Sequence, residues 1–96
     1  MTVRLSPRAK RDIQAIGEWI AGESPVRAQS YVQELLDACA GLETFPRRYR
    51  EAPRRPDLRI MPFGSYLIFY RVEPVIEVAA VVHGSRDWEK LLDSIT

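Results

Sequence analysis

Between Leu58 and Asp87 the chain runs through three short apolar segments, and that stretch limits what the rest can become. Leu58 to Phe63, Tyr66 to Val72 and Val75 to Val82 are rich in β-branched and aromatic residues, and Gly64-Ser65 and Glu73-Pro74 divide them. Strand-like runs divided by turn-forming pairs predict an antiparallel meander. The third run carries Glu77 as its only charge, so it is expected to be the central strand, covered on both faces. The second run alternates. Tyr66, Ile68, Tyr70 and Val72 share one face, and Leu67, Phe69 and Arg71 share the other.

What precedes the meander reads as a cover for it. Val3-Arg4-Leu5 is long enough only for a short edge strand. Ser6-Pro7 then supplies an N-cap followed by a proline at the first helical position, where its missing N–H costs nothing. Ala9, Ile13, Ile16 and Ile20 recur at helical spacing, which carries this helix to about Gly22. Ser24-Pro25 repeats the same start, and Ala28, Val32, Leu35, Cys39 and Leu42 form the stripe of a second helix ending between Leu42 and Pro46. So short a connection makes the two helices an antiparallel hairpin whose shared apolar side lies on the sheet. Residues 46–57 hold Pro46, Pro53 and Pro56 among five arginines and read as an exposed loop. Past the meander, Trp88, Leu91, Leu92 and Ile95 mark a short amphipathic helix that either folds back on the sheet or awaits a partner.

Ninety-six residues suit one domain with one core, and 46% hydrophobic residues suffice to fold it. No run reaches the roughly 18 to 20 apolar residues of a membrane span, nor does the N-terminus read as a signal peptide. A cytoplasmic location is the expectation. With one Cys and one His there is no internal disulfide and no ligand cluster, so neither metal nor cofactor is expected, and Cys39 reads as a buried core residue. The net charge of +1 conceals a local excess. Between residues 46 and 71, Arg47, Arg48, Arg50, Arg54, Arg55, Arg59 and Arg71 stand against only Glu51 and Asp57. The segments 17–45 and 72–96 are acidic, which argues against an autonomous nucleic-acid-binding face.

An ordered set of short motifs resembles the ParE toxins within the ParE and RelE superfamily of type II toxin-antitoxin systems. It comprises Leu5-Ser6-Pro7-Arg8-Ala9, Asp12-Ile13, Trp19-Ile20, Ser24-Pro25 with Ala28 and Tyr31, and Phe45-Pro46. It continues through Leu58-Arg59, Tyr66 with Phe69-Tyr70-Arg71, and Val82-His83 followed by Arg86-Asp87. The resemblance covers nearly the whole chain. It implies a small α+β toxin with an N-terminal strand, a helical hairpin packed on a twisted antiparallel sheet, and a short C-terminal helix. It also implies a ParD-like antitoxin that folds on binding and forms a hetero-oligomer with the toxin. The ParE branch implies DNA gyrase as the target, with DNA touched only through gyrase or the antitoxin; the RelE branch implies cleavage of mRNA on the ribosome.

Cleaving RNA takes a base for the 2′-hydroxyl, cations for the phosphate and an acid for the leaving oxygen. The matching residues would be Glu51, Arg59, His83 and Arg86. Against this, the strands hold no Lys, no Tyr follows His83, and Trp88 has no phenolic proton to give. The ending His83-Gly84-Ser85-Arg86-Asp87 looks like the gyrase-poisoning branch, so the expectation is a toxin that binds and does no covalent chemistry. Arg59, His83, Arg86 and Trp88 are then the target-facing candidates, and Trp19, Tyr31, Arg47, Arg48, Arg54 and Arg55 the antitoxin-facing ones. Structural roles compete for the same residues. Arg59 can pair with Glu77 across the sheet, Arg86 and Asp87 can cap and pair locally at the last helix, and Trp19 and Tyr31 can belong to the hairpin core or its rim.

Overall fold

The computed structural model describes residues 2–96. In chain order its elements are β1 (Arg4–Leu5), α1 (Pro7–Ala21), α2 (Pro25–Ala40), β2 (Glu51–Ala52), β3 (Arg55–Phe63), β4 (Tyr66–Arg71), β5 (Glu77–His83) and α3 (Trp88–Leu91), with 3₁₀ turns at Gly41–Glu43 and Leu92–Ser94. Local chemistry starts both helices as read. The Ser6 hydroxyl accepts the Ala9 N–H at 3.0 Å and the Ser24 hydroxyl accepts the Arg27 N–H at 3.1 Å, each followed by proline. These bonds satisfy amides that a helix start leaves without partners.

The strands lie in the order β1-β5-β4-β3-β2, with β1 parallel to β5 and every other pair antiparallel. The chain thus starts at one edge, crosses the sheet as the helical hairpin, and returns strand by strand from the other edge. The middle place belongs to β4 rather than to the last strand. The reason is β2, a strand formed inside the segment read as a loop, which moves the centre of the sheet. β5 is still interior, flanked by β1 and β4, and its stretch from Val78 to Val82 is buried. It begins at Glu77 and leaves Val75 39% exposed, two residues later than expected.

Each face of the sheet carries its own core. Ile13, Ile16, Leu35 and Cys39 of the hairpin pack on Ile68, Tyr70, Val78 and Val81. Leu92 and Ile95, both nearly inaccessible, pack on Leu58, Ile60, Phe69 and Val82 from the opposite side. The terminal segment is therefore a cover for the second face. β4 alternates between the two cores as expected, whereas β5 does not. Its register against β4 shifts between Phe69 and Tyr70, so that Phe69 faces Ala80 and Tyr70 faces Val78. Ala79 is the extra residue of this bulge, and it shares the second core with Ala80.

Beyond the two residues of β1, the outer edge of β5 would present bare backbone groups. Side chains from the start of α1 meet them: the Ser6 hydroxyl donates to the Ala79 carbonyl at 2.9 Å, and the Asp12 carboxylate accepts the Val81 N–H at 2.9 Å. A helix thus completes an edge that the short strand leaves open. No helix among the described residues is long and apolar enough to cross a membrane.

Candidate partner-binding surfaces

Arg59 sits at one end of the sheet. The register sets it opposite Tyr70 on β4 and Glu51 on β2. Its guanidinium donates to the Tyr49 carbonyl at 2.6 Å and to the Arg47 carbonyl at 3.3 Å, and lies 3.7 Å from Glu51. The expected pairing with Glu77 does not form. Glu77 lies opposite Arg71, which takes it at 2.9 Å, while Arg59 shares the hairpin side of the sheet with Tyr70. The Tyr70 hydroxyl, whose pKa burial raises above the ordinary phenol value, donates to the Pro46 carbonyl at 2.7 Å. The residues after α2 are therefore tied down from the sheet. That explains why the arginine-rich segment is not simply a loop: it contributes β2, with Ala52 buried, and β3 begins at Arg55, earlier than the expected Leu58.

The opposite end of the sheet gathers aromatic rings. His83 lies across from Tyr66, their centroids 5.1 Å apart, and Tyr66 meets Tyr31 at 6.2 Å. Tyr31 also takes Phe63 edge-on at 5.5 Å and carries the Arg27 guanidinium 5.1 Å above its ring. Sequence reasoning assigned Tyr31 and His83 to different surfaces; the fold brings them together. Tyr31 occupies the rim of the hairpin, and desolvation pushes its pKa up. On His83, Nδ1 accepts the Ser85 N–H at 3.1 Å and lies 2.7 Å from the Ser85 hydroxyl. An Nδ1 that accepts an amide proton leaves the ring proton on Nε2. Arg86 follows in the exposed turn, and among the described residues it pairs with no carboxylate.

This arrangement splits the four residues a nuclease would need. Glu51 and Arg59 stand beside Tyr70, and His83 and Arg86 stand by Tyr66. Tyr66 and Tyr70 are four residues apart on β4, roughly 13 Å at the rise of a strand, with a further displacement across strands. A base and an acid in one reaction must both lie within hydrogen-bond reach of a single phosphodiester. Arg59 is, moreover, occupied by two carbonyl groups.

The remaining candidates divide the same way. Trp19, expected in the hairpin core or its rim, is 79% exposed, and Val26 is 80% exposed. Between α1 and α2 a surface groove of about 620 Å³ is lined by Ile13, Gly17, Ala21, Ala28 and Val32 among polar residues. Gly17 keeps the helices close, since a Cβ there would meet the Val32 side chain at 3.0 Å. Arg47 pairs with Glu73, and Arg48 lies 5.5 Å from the Tyr49 ring centroid. Arg54 and Arg55 instead hold the terminal segment: Arg54 donates to the Glu89 carbonyl at 3.3 Å, and Arg55 donates to the carbonyls of Leu92 and Ile95. Trp88 is half-buried, 5.8 Å from Phe69. Asp87 stands at the N-cap of α3 without a capping bond and lies 3.5 Å from Lys90, so the expected local pairing involves Lys90 rather than Arg86. Cys39 is buried as expected, and burial raises its thiol pKa to about 11. Sequence reasoning missed Phe45 as a surface residue; the one available signal was an aromatic residue beside Pro46 just past a helix end.

Taken together, a helical hairpin on a five-stranded sheet, with exposed apolar side chains and with Glu51 and Arg59 set apart from His83 and Arg86, defines a small α+β protein with several candidate partner surfaces. The family described as ParE toxin of type II toxin-antitoxin system, parDE, matches residues 3–88, and the chain belongs to it. It is a type II toxin of the ParE kind, a family of poisons rather than enzymes. A solved structure of the chromosomal ParDE TA system from P. aeruginosa shares the fold with a TM-score of 0.74 at 17% identity, covering 86% of this chain and 95% of that one. Comparison with curated proteins gives no match.

Proposed function

We propose that this toxin acts in the cytoplasm by binding DNA gyrase and blocking it, and that a ParD-like antitoxin neutralises it. Family membership supports an antitoxin partner. The observation that carries the choice of gyrase over ribosome-bound mRNA is the separation of Glu51 and Arg59 from His83 and Arg86 at opposite ends of β4. The target-facing surface is the end of the sheet where His83 and Arg86 emerge, continuing to Trp88. Arg59 leaves this set, since its guanidinium is spent on the backbone after α2. The antitoxin covers the groove between the helices by laying a helix in it, and the exposed Trp19 and Val26, outside the groove's lining, offer it further apolar surface.

The test is a supercoiling assay with purified gyrase and ATP, run beside a ribosome-dependent mRNA cleavage assay on the same preparation. Inhibited supercoiling with accumulated cleaved DNA and intact mRNA is the expected outcome. Cut mRNA with normal supercoiling would overturn the reading.

A further inference from the structure

Phe45 is 75% exposed, and its backbone has φ 56°, a left-handed conformation that bulky L residues rarely adopt. The turn it opens is closed by the Arg48 N–H donating to the Phe45 carbonyl at 3.1 Å. Three bonds from the sheet hold that turn from beneath, Tyr70 to the Pro46 carbonyl and Arg59 to those of Arg47 and Tyr49. A fully buried tyrosine and a mostly buried arginine thus fix a solvent-exposed turn. The phenyl ring itself adds little to the core, and its backbone works against folding. Strain kept in place by surrounding structure points to a use outside the fold.

The surroundings define that use. Phe45, Pro46, Arg47 and Arg48 line a shallow hollow of about 550 Å³. Arg47, which pairs with Glu73, and Arg48 are exposed at its wall, and Arg50, exposed two residues further along the chain, pairs with no carboxylate among the described residues. An aromatic anchor ringed by arginines complements an apolar side chain flanked by carboxylates. A phosphate backbone fits less well, because it offers no apolar side chain to set against the Phe45 ring. The turn adjoins the outer strand β2 and stands at the Tyr70 end of β4, away from His83 and Arg86. The turn and the His83 end are thus separate patches, so a substitution in one leaves the side chains of the other in place.

We infer that the Phe45–Tyr49 turn is a preformed docking knob for an acidic, apolar-centred segment of the antitoxin. This rests on the toxin-antitoxin reading and adds a second contact to the helical groove. Phe45→Gly removes the ring and hands the left-handed position to a residue that adopts it freely; Phe45→Asn removes the ring with less added flexibility. Titration of the full chain with its cognate antitoxin is expected to show Kd raised about tenfold or more in both variants, while Tm stays level or rises. Unchanged antitoxin affinity in both variants overturns the inference alone. So does lost gyrase inhibition at intact antitoxin affinity, or binding of a short DNA duplex by the wild type that the variants lose. A wild-type chain that does not bind the antitoxin overturns the toxin-antitoxin reading along with it.

Discussion

The carboxylate of Asp12 lies one turn into α1 and accepts the Val81 N–H at 2.9 Å, on the edge of β5 that β1 is too short to reach. Arg8 stands 3.7 Å away, beyond hydrogen-bond distance and only partly buried, so the amide is the bond that matters. Asp12→Ala would leave that buried donor without a partner at a cost of about 1 to 3 kcal/mol. Urea denaturation should show this loss, with Asp12→Asn losing less because an amide oxygen can still accept; an alanine variant as stable as the wild type would contradict the role. The sequence placed Asp12 beside Ile13 on a readable helix, yet its bond is to a residue far along the chain. Arg59 repeats the point. Its strand was legible, but its face was not, and the register set Arg71 rather than Arg59 opposite Glu77.

Among the elements, those whose signals are local came out of the sequence nearly intact. Serine followed by proline starts both helices because the cap bond spans three residues. β2 was illegible for the opposite reason. Two residues cannot show a period, and this strand exists because of its pairing with β3 and the guanidinium of Arg59 beneath the preceding turn. The bulge at Ala79 likewise hid the alternation of β5. The terminal helix was readable as amphipathic but not as docked. Its docking rests on Leu92, which is fully buried, and on Arg55 and Arg71, which donate to the carbonyls of Leu92, Ile95 and Thr96. Leu92→Ala should therefore cost about 2 to 5 kcal/mol by denaturation. A loss under about 0.5 kcal/mol, the scale of a surface change, would mean that the segment does not cover the sheet.

At the scale of the whole molecule, the meander decides how surfaces are shared out. Antiparallel return strands carry Glu51 and Arg59 to one end and His83 to the other, a separation that one-dimensional order cannot show. One end offers a braced aromatic knob among arginines; the other offers edge-on and tilted rings followed in the chain by Arg86, whose guanidinium has no carboxylate partner among the described residues. On the proposed reading, these two ends and the helical groove give the antitoxin and the target separate places. By that reading the His83 end meets gyrase and Glu51 does no chemistry. A supercoiling assay comparing Arg86→Ala with Glu51→Gln tests it most directly. The half-inhibitory concentration should rise about tenfold or more for Arg86→Ala and stay level for Glu51→Gln; full inhibition by Arg86→Ala, or its loss in Glu51→Gln, would contradict the account.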